Sequence, residues 1–313
     1  MVYKVINMGC SESSSLNFKS ETVFKLLVKE AIDLSNIKSL YEIYKKYNKI
    51  NPKDQTYLDR PITRVNSKNL NALAYSVHIG NYSVFQSLLL FGASIQEMNK
   101  LLEDQGLRAM NIICSKNHSK FLESYFPIYL STRLATDESV SFKFEIPLHT
   151  AIRAGAIETI TKIHSLSGND PKLEEFLFCT KDRKGENAAH KACRFGNYNV
   201  VKLIHTKFDA DFSVLNEKKE NCLVIAANGY KACPNLNFLN VFKYLIECVG
   251  LDVTYMYEDI LLKVESEEIL WYLEKKLREK GVEVTRGELI KCSFSMKGLS
   301  LASHKPLENL EKK

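Results

Sequence analysis

Histidines are the side chains in this sequence best suited to chemistry near neutral pH, because the imidazole titrates between about pH 5 and 8. Two of them, His149 and His190, lie in similar short stretches, PLHTA and AAHKA, and are the leading candidates for general bases. His118, His164 and His205 are scattered and are interpreted as ordinary residues of amphipathic helices. The sequence has no phosphate-binding loop, dinucleotide-binding glycine motif, zinc-protease motif or nucleophile elbow. These absences predict a protein that is not an enzyme and leave an enzyme with an unrecognised site as a distant alternative.

The cysteines do not form a recognisable site either. There are eight, and they are scattered, with no C-x-x-C pair and no cysteine and histidine cluster at zinc spacing. They are interpreted as reduced, mostly buried thiols of a cytoplasmic protein. The sequence therefore predicts neither a metal nor a cofactor.

One further stretch could carry covalent chemistry. Met8, Gly9 and Cys10 are followed by Ser13 at the spacing of an N-myristoylation signal. Myristoyl transfer needs a free N-terminal glycine, so Gly9 qualifies only if translation starts at Met8. Cys10 could then carry palmitate, and two acyl chains anchor a protein stably where one does not.

Composition favours a soluble globular protein, with 45% apolar and 26% charged residues in 313. No run of 18 uncharged apolar residues is present, so neither a transmembrane span nor a secretory signal is expected. The net charge of +6 favours an acidic partner and does not choose among proteins, membranes and nucleic acids.

A pattern of two short helices separated by glycine recurs through the middle of the chain. In the first copy, NALAYSVHIGNYSVFQSLLLFGAS, Gly80 separates the helices and Gly92 follows the second. Glycine adopts the left-handed conformation at little cost and asparagine tolerates it, which accounts for Asn117 in the second copy. One pair cannot bury its apolar face alone, so neighbouring pairs must stack. The copies are 34 to 41 residues apart and begin at Asn71, Arg108, Ile146, Asn187 and Asn221, the fifth with an insertion around Pro234.

These copies resemble the ankyrin repeat, whose signature is T-P-L-H-x-A within a period of 33 residues. The closest match is PLHTA at 147–151, and AHKA at 189–192 is the next. The resemblance covers residues 66–253 and implies an all-α repeat solenoid, a stack of helix-turn-helix pairs with inter-repeat hairpins. In the histidine position of that signature the imidazole holds the turn in place. The resemblance therefore implies a structural role for His149 and His190.

The resemblance also implies where a partner binds. Ankyrin stacks bind through the tips of the inter-repeat turns and the ends of the first helices, which form a concave face. Most residues carried over to these positions are basic and predict a positive stripe that docks an acidic protein surface or tail. The alternative, that they are ordinary solvated cations, stays open, and nucleic acid is less favoured because Glu186 and Glu220 lie at the same tips. The implied residues are Ser67, Lys68, His78, Lys116, Arg153, Arg183, Lys184, Arg194, Phe195 and Lys218, with Glu217 beside the last.

The regions outside the repeats are expected to cap or extend the stack. We expect a flexible N-terminal tail over residues 1–19, capping helices over 20–65, a degenerate capping repeat over 254–285 and an extended tail over 286–313. Between the second and third copies, residues 140–146 alternate apolar and polar side chains, which predicts a strand in a long hairpin. Leu26 is expected to face inward from the first capping helix, and Trp271 is expected in the core.

The preferred function is a non-enzymatic interaction scaffold. Two forms of it are open, a soluble cytoplasmic adaptor and a structural component of a large cytoskeletal or ciliary (axonemal) assembly. The rival class is a lipid-anchored regulatory adaptor at a membrane, which depends on Gly9 and Cys10. The oligomeric state is left open.

Overall fold

The computed structural model describes residues 21–50, 56–135, 146–168, 178–208, 210–235 and 237–284. The predictions for residues 1–19, 140–145 and 286–313 lie outside these ranges, and so do Gly9 and Cys10. The chain divides into two compact units, residues 1–127 and 128–313. Each unit is described by itself below.

Helices and one short hairpin build the first unit. Short amphipathic helices in pairs agree with the repeat pattern of the sequence, because each pair buries one apolar face. The elements are α1 (Glu21–Asp33), α2 (Ile37–Ile50), β1 (Thr63–Val65), β2 (Lys68–Leu70), α3 (Ala72–Ile79), α4 (Tyr82–Leu90), α5 (Ile95–Glu103), α6 (Ala109–Ser115), a 3-10 turn (Ser119–Phe121) and α7 (Leu122–Ala135), within which the boundary between the units falls.

The hairpin before α3 is a tight two-residue turn. β1 and β2 pair antiparallel, with Val65 opposite Lys68, and the turn residues Asn66 and Ser67 have φ of 47° and 64°. Two consecutive positive φ values give the turn the twist that matches a two-stranded hairpin. The side chain of Asn71 then caps α3 by accepting the amide of Ala74 at 2.9 Å.

Helix α5 lies between the first and second copies of the repeat and was not predicted from the sequence. Ser94 caps it by accepting the amide of Glu97 at 3.2 Å, and Met98 and Leu102 are buried. The added helix explains why these two copies are more than 33 residues apart.

The expectation that Leu26 faces inward from α1 is wrong. Leu26 is 61% exposed, whereas Phe24 and Val28 are buried. The ring of Phe24 lies 4.4 Å from that of Tyr47 and 5.2 Å from that of Tyr57, so an aromatic cluster sets the rotation of the helix. Helical spacing alone allows either Leu26 or the pair Phe24 and Val28 to face inward, so the sequence pattern did not distinguish them.

Two parallel layers of helices build the second unit. In the inner layer α10 packs against α8 and α12, and α12 packs against α14, while in the outer layer α11 packs against α9 and α13, and α13 against α15. First helices thus stack on first helices and second on second, which is the solenoid arrangement that the sequence predicts. The helices are α8 (Pro147–Ala154), α9 (Ile157–Ser167), α10 (Ala188–Arg194), α11 (Tyr198–Phe208), α12 (Cys222–Ala232), α13 (Asn237–Glu247), α14 (Tyr257–Lys263) and α15 (Glu267–Glu279).

The turns between paired helices use the left-handed backbone that the sequence pattern predicts. Gly155 ends α8 with φ of 68°, and its amide donates to the carbonyl of Ile152 at 3.1 Å. A Cβ at this position would also collide with the side chain of Asn197 from the next pair. Glycine is therefore favoured here by conformation, and a larger residue would also displace the Asn197 side chain.

The expectation that Trp271 belongs to the core is wrong. Its side chain is 62% exposed on α15, whereas Ile269, Tyr272 and Leu273 of the same helix are buried. Among the described residues, α15 lies at the end of the outer layer, where it packs against α13. None of the helices in the described ranges is both long enough and apolar enough to cross a bilayer.

Candidate protein-binding face

One aspartate closes the turn before α10. Oδ1 of Asp182 accepts the amides of Lys184 at 2.8 Å and Glu186 at 3.0 Å. The amide of Gly185 donates to the Asp182 carbonyl at 2.9 Å, with φ of 70° at Gly185. This closed turn holds Arg183 and Lys184 at its tip, where both are exposed.

The turn before α12 repeats this hydrogen-bond pattern with asparagine in place of aspartate. Oδ1 of Asn216 accepts the amides of Lys218 and Glu220, each at 2.9 Å. Lys219 occupies the position of the glycine and has φ of 59°. Lys218 is exposed at this tip as predicted from the resemblance, and Lys219 is an exposed cation that the sequence analysis missed. Aligning the two turns on Asp182 and Asn216 would have found it.

The two turns contact each other through the backbone. The amide of Glu217 donates to the carbonyl of Lys184 at 3.3 Å. A Cβ at Gly185 would lie only 2.7 Å from the Glu217 nitrogen, so the glycine permits this approach. The exposed cations Arg183, Lys184 and Lys218 are therefore grouped along one edge of the unit, which we call the turn edge.

A buried carboxylate lies beneath the turn edge. Glu186 has no exposed surface and accepts two hydrogen bonds from Arg194, one of them from Nε to Oε2 at 3.0 Å. Lys191 donates to the same Oε2 at 2.8 Å and lies 2.6 Å from Oδ2 of Asp182. The sequence analysis placed Glu186 at the surface and Arg194 on the binding stripe. In the structure the charge of Arg194 is compensated within the unit.

The pKa values of these acids follow from their partners. Burial raises the pKa of Glu186, but hydrogen bonds from Arg194 and Lys191 outweigh burial and hold the pKa below its usual range. Burial likewise raises the pKa of Asp182, and the hydrogen bonds from Lys191 and two backbone amides lower it overall. Both acids are ionised at neutral pH, so the cluster balances its own charges.

Two other predicted positions of this unit lie at the ends of first helices. Arg153 is exposed near the end of α8. Phe195 follows α10 and is 38% exposed, so it offers an apolar side chain at the surface.

The predicted positions of the first unit have varied surroundings. Ser67 is exposed at the hairpin turn, and Lys116 is exposed after α6. The ammonium of Lys68 donates to the Gln105 carbonyl at 2.5 Å, so Lys68 is already engaged within its unit. His78 is half-buried, and burial together with the nearby charge of Lys116 lowers its pKa.

The two histidines of the repeat signature are fully buried. Nδ1 of His190 accepts the amide of Asn187 at 3.3 Å while the His190 amide donates to Oδ1 of Asn187 at 3.0 Å, so the pair caps α10 reciprocally. His149 has no hydrogen-bond partner for either ring nitrogen among the described residues. Burial lowers the pKa of His149 to about 4. Neither ring is accessible to a substrate, which fits the structural role that the resemblance implies.

Within the described ranges, no three His, Cys, Asp or Glu side chains are placed to hold a metal ion together.

Comparisons with known proteins agree with this architecture. Residues 148–256 match the family model for ankyrin repeats, in three copies. Among solved structures, the human ASB11 ankyrin repeat domain is similar, with 13% identity, a TM-score of 0.50, and coverage of 80% of this chain and 96% of that one. The ankyrin repeat domain of Bcl-3, a member of the IkappaB family, also matches, with 15% identity, a TM-score of 0.49, and coverage of 79% and 97%. No curated protein sequence matches the chain.

The family match coincides with the stacked pairs and turns of the second unit. Ankyrin repeats are a protein-protein interaction module, and the fold is typically a non-enzymatic scaffold. Residues 148–256 of this chain are therefore ankyrin repeats.

Proposed function

We propose that this protein is a non-enzymatic adaptor that binds an acidic protein surface or tail through the turn edge. One observation carries the proposal: two adjacent turns with the same hydrogen-bond pattern present Arg183, Lys184 and Lys218 to solvent. Their backbones are joined by the bond between Glu217 and Lys184, so the partner meets cations at preset positions. Preset charges favour complementary partners and repel cationic ones.

We assign one residue fewer to binding than the resemblance implies. Arg194 pairs with the buried Glu186, as Lys191 also does, so the charge of Arg194 is compensated internally and we leave Arg194 out of the proposed binding set. Arg153 and Phe195, which are exposed at the ends of α8 and α10, complete the proposed set of binding residues. The binding residues of the first unit, Ser67, Lys68, His78 and Lys116, remain predictions from the resemblance.

Affinity capture with a charge-reversed bait tests the proposal. The bait carries Arg183→Glu, Lys184→Glu and Lys218→Glu, and quantitative mass spectrometry compares its partners with those of the wild type. An exposed ion pair contributes about 0.2–1 kcal/mol, so reversing three charges weakens capture by about tenfold or more. Because the Debye length falls from about 10 Å at 0.1 M salt to about 3 Å at 1 M, wild-type capture should also decrease with salt.

The matched control reverses three exposed lysines on α2, Lys45, Lys46 and Lys49, which changes the net charge by the same amount. We expect this bait to retain the partner. Equal capture by both reversed baits and the wild type would refute the role of the turn edge, even if the protein proves to be an adaptor through another surface.

The same capture experiment also tests the cellular setting of the protein. We propose a large cytoskeletal or ciliary assembly as the setting of the adaptor, on the basis of its lysine-rich and asparagine-rich sequence. Enrichment of cytoskeletal or axonemal proteins with the wild-type bait would support this setting, and their absence from the captured proteins would contradict it.

A membrane-anchored adaptor is the second candidate, and the sequence Met8-Gly9-Cys10 favours it. Peptide mapping of protein from its native source decides this point. An N-terminal peptide that begins at an acylated Gly9 supports anchoring, whereas an intact MVYKVIN peptide in the mature protein rules it out.

A further inference from the structure

An apolar patch lies at the surface of the first unit, where α2 packs against α4. The ring of Phe91, which follows α4, lies 4.8 Å from that of Tyr44 and 5.9 Å from that of Tyr41. Tyr41 is 46% exposed, and Leu90, next to Phe91 in the chain, is 85% exposed. Ile37 is also exposed and lies one helical turn before Tyr41. A group of exposed apolar side chains marks a surface that another molecule covers.

Lysines lie along the exposed side of the same helix. Lys45 lies one turn after Tyr41, and Lys49 lies one turn after Lys45, so cations border the apolar patch. Glu42 is the one acid of α2. None of the α2 lysines pairs with an acid in the part of the chain that the structure describes, so their charges are available to an anionic ligand. The exposed lysines of α2 are Lys38, Lys45, Lys46 and Lys49.

The third side of α2 is buried through Leu40, Ile43 and Tyr47. The helix is thus fixed to its unit by one side and offers apolar and basic side chains to solvent by the others. Apolar side chains bordered by lysines are typical of helices that lie in a membrane interface, where lysine meets anionic headgroups. Tyrosine is enriched at the same depth, because its ring is apolar and its hydroxyl is polar.

The exposure of Leu90 favours a lipid surface over a protein partner. A side chain that is 85% exposed projects from the unit and does not line a depression. A protein partner must present a preformed pocket to bury such a side chain, and it must also place acids opposite the lysines. A fluid anionic membrane meets both requirements without a specific shape.

We propose that this surface docks the protein on an anionic membrane. We call it the α2 face and define it by Ile37, Tyr41 and Leu90 with Lys38, Lys45 and Lys49. Leu90 and Ile37 enter the headgroup region, and the lysines contact anionic headgroups. Binding is reversible, since a few apolar side chains and three charges fall short of a stable anchor. The inference depends neither on the turn edge nor on acylation of Gly9.

Sedimentation with lipid vesicles tests the inference on the full-length protein. One vesicle preparation is pure phosphatidylcholine, and the other contains about 30% phosphatidylserine, which gives it an anionic surface. All proteins carry Gly9→Ala, so acylation at that position does not contribute, and circular dichroism shows that each is folded. We expect the protein to sediment with the anionic vesicles and to stay in solution with the neutral ones.

A charge-reversed variant tests the basic part of the α2 face. It carries Lys38→Glu, Lys45→Glu and Lys49→Glu. Each cation near an anionic surface changes binding by about fivefold, so we expect the partition coefficient to fall by about a hundredfold or more. The matched control carries Arg183→Glu, Lys184→Glu and Lys218→Glu, which change the net charge equally at the turn edge. Equal losses in the two variants would overturn the inference, because general charge attraction would explain both.

A single substitution tests the apolar part. Leu90→Gln should weaken binding to the anionic vesicles by about tenfold, because the side chain no longer leaves water. Leu262→Gln is the matched control, since Leu262 is an exposed leucine of α14 in the second unit, and it should leave binding unchanged. Equal binding by both variants and the parent protein would show that Leu90 does not enter lipid.

Absence of sedimentation with the anionic vesicles would overturn the membrane inference outright. If the bait with reversed Lys45, Lys46 and Lys49 then also loses a captured protein, the α2 face docks a protein instead. Neither result bears on the turn edge, whose proposed partner is tested by its own charge-reversed bait.

Discussion

Arg194 holds the buried carboxylate of Glu186 with two hydrogen bonds, across eight positions of sequence and from the far end of α10. The turn that precedes the helix is thereby tied to the helix C-terminus. Lys191 adds a third contact to the same carboxylate at 2.8 Å. This arrangement makes Glu186 an internal counterion, and it leaves the exposed tip residues as the charges available to a partner.

Removing the negative charge of Glu186 should therefore destabilise the second unit. Glu186→Gln removes the negative charge and leaves Arg194 and Lys191 without their full partner, and we expect a loss of about 1–3 kcal/mol in the free energy of unfolding. Urea denaturation followed by circular dichroism measures the loss. Glu217→Gln, at the exposed tip of the next turn, is the matched control and should change stability by less than about 0.5 kcal/mol. Equal effects of the two substitutions would contradict the role of Glu186.

Stability should fall in mildly acidic solution because of His149. Its pKa is about 4 in the folded protein and 6.5 when exposed, so the unfolded chain binds more protons between these values. The buried ring faces Lys191 and His190, which lower its pKa, and Asp182 and Glu186, which raise it, while burial dominates. The stability that depends on a neutral His149 is fully present above pH 6.5 and is lost as the pH falls towards 4. We expect about 2 kcal/mol less stability from this group at pH 5 than at pH 7.5.

The variant His149→Gln isolates this contribution, because it cannot titrate in this range. Denaturant unfolding of both proteins between pH 5 and 7.5 gives two curves whose difference belongs to His149. We expect the slope of stability against pH to be smaller in the variant. Parallel curves would show that His149 does not remain neutral in the folded protein.

The backbone at Lys219 offers a stabilising substitution. Lys219 has φ of 59° at the position that Gly185 occupies in the preceding turn. A left-handed conformation costs a residue with a side chain about 1–2 kcal/mol, and glycine avoids this cost. Part of the gain is lost because glycine makes the unfolded chain more flexible. Lys219→Gly should therefore raise the free energy of unfolding by about 0.5–1 kcal/mol. Lys218→Gly, whose φ is not positive, should lower stability, and a loss from both would argue against strain at Lys219.

Replacing Gly229 with alanine should destabilise the protein, although the same replacement at most helix positions is stabilising. Alanine is normally favoured there by about 0.5–1 kcal/mol, but a Cβ at 229 would collide with the carbonyl oxygen of Arg194. We expect Gly229→Ala to destabilise the protein by about 1–3 kcal/mol, as overpacked sites do. Lys231→Ala, at an exposed position of the same helix, should stay within about 0.5 kcal/mol of the wild type. A thermal melt of each variant measures both effects, and stabilisation by Gly229→Ala would disprove the close contact of α10 and α12.

The sequence by itself determined the repeat architecture of this protein. Helix periodicity and the glycines between paired helices depend on residues that are neighbours in the chain, as Gly80 and Gly155 illustrate, so both could be predicted from the sequence. Positions of the turn tips followed from the same period, which led to Arg183, Lys184 and Lys218.

Only the tertiary structure decided which side chains are free to act. The rotation of α1 depends on Tyr47 and Tyr57, and the exposure of Trp271 depends on which face of α15 meets α13. The pairing of Arg194 with Glu186 requires the turn to fold back along α10. Each of these outcomes depends on contacts between elements, and helical spacing alone fits more than one of them.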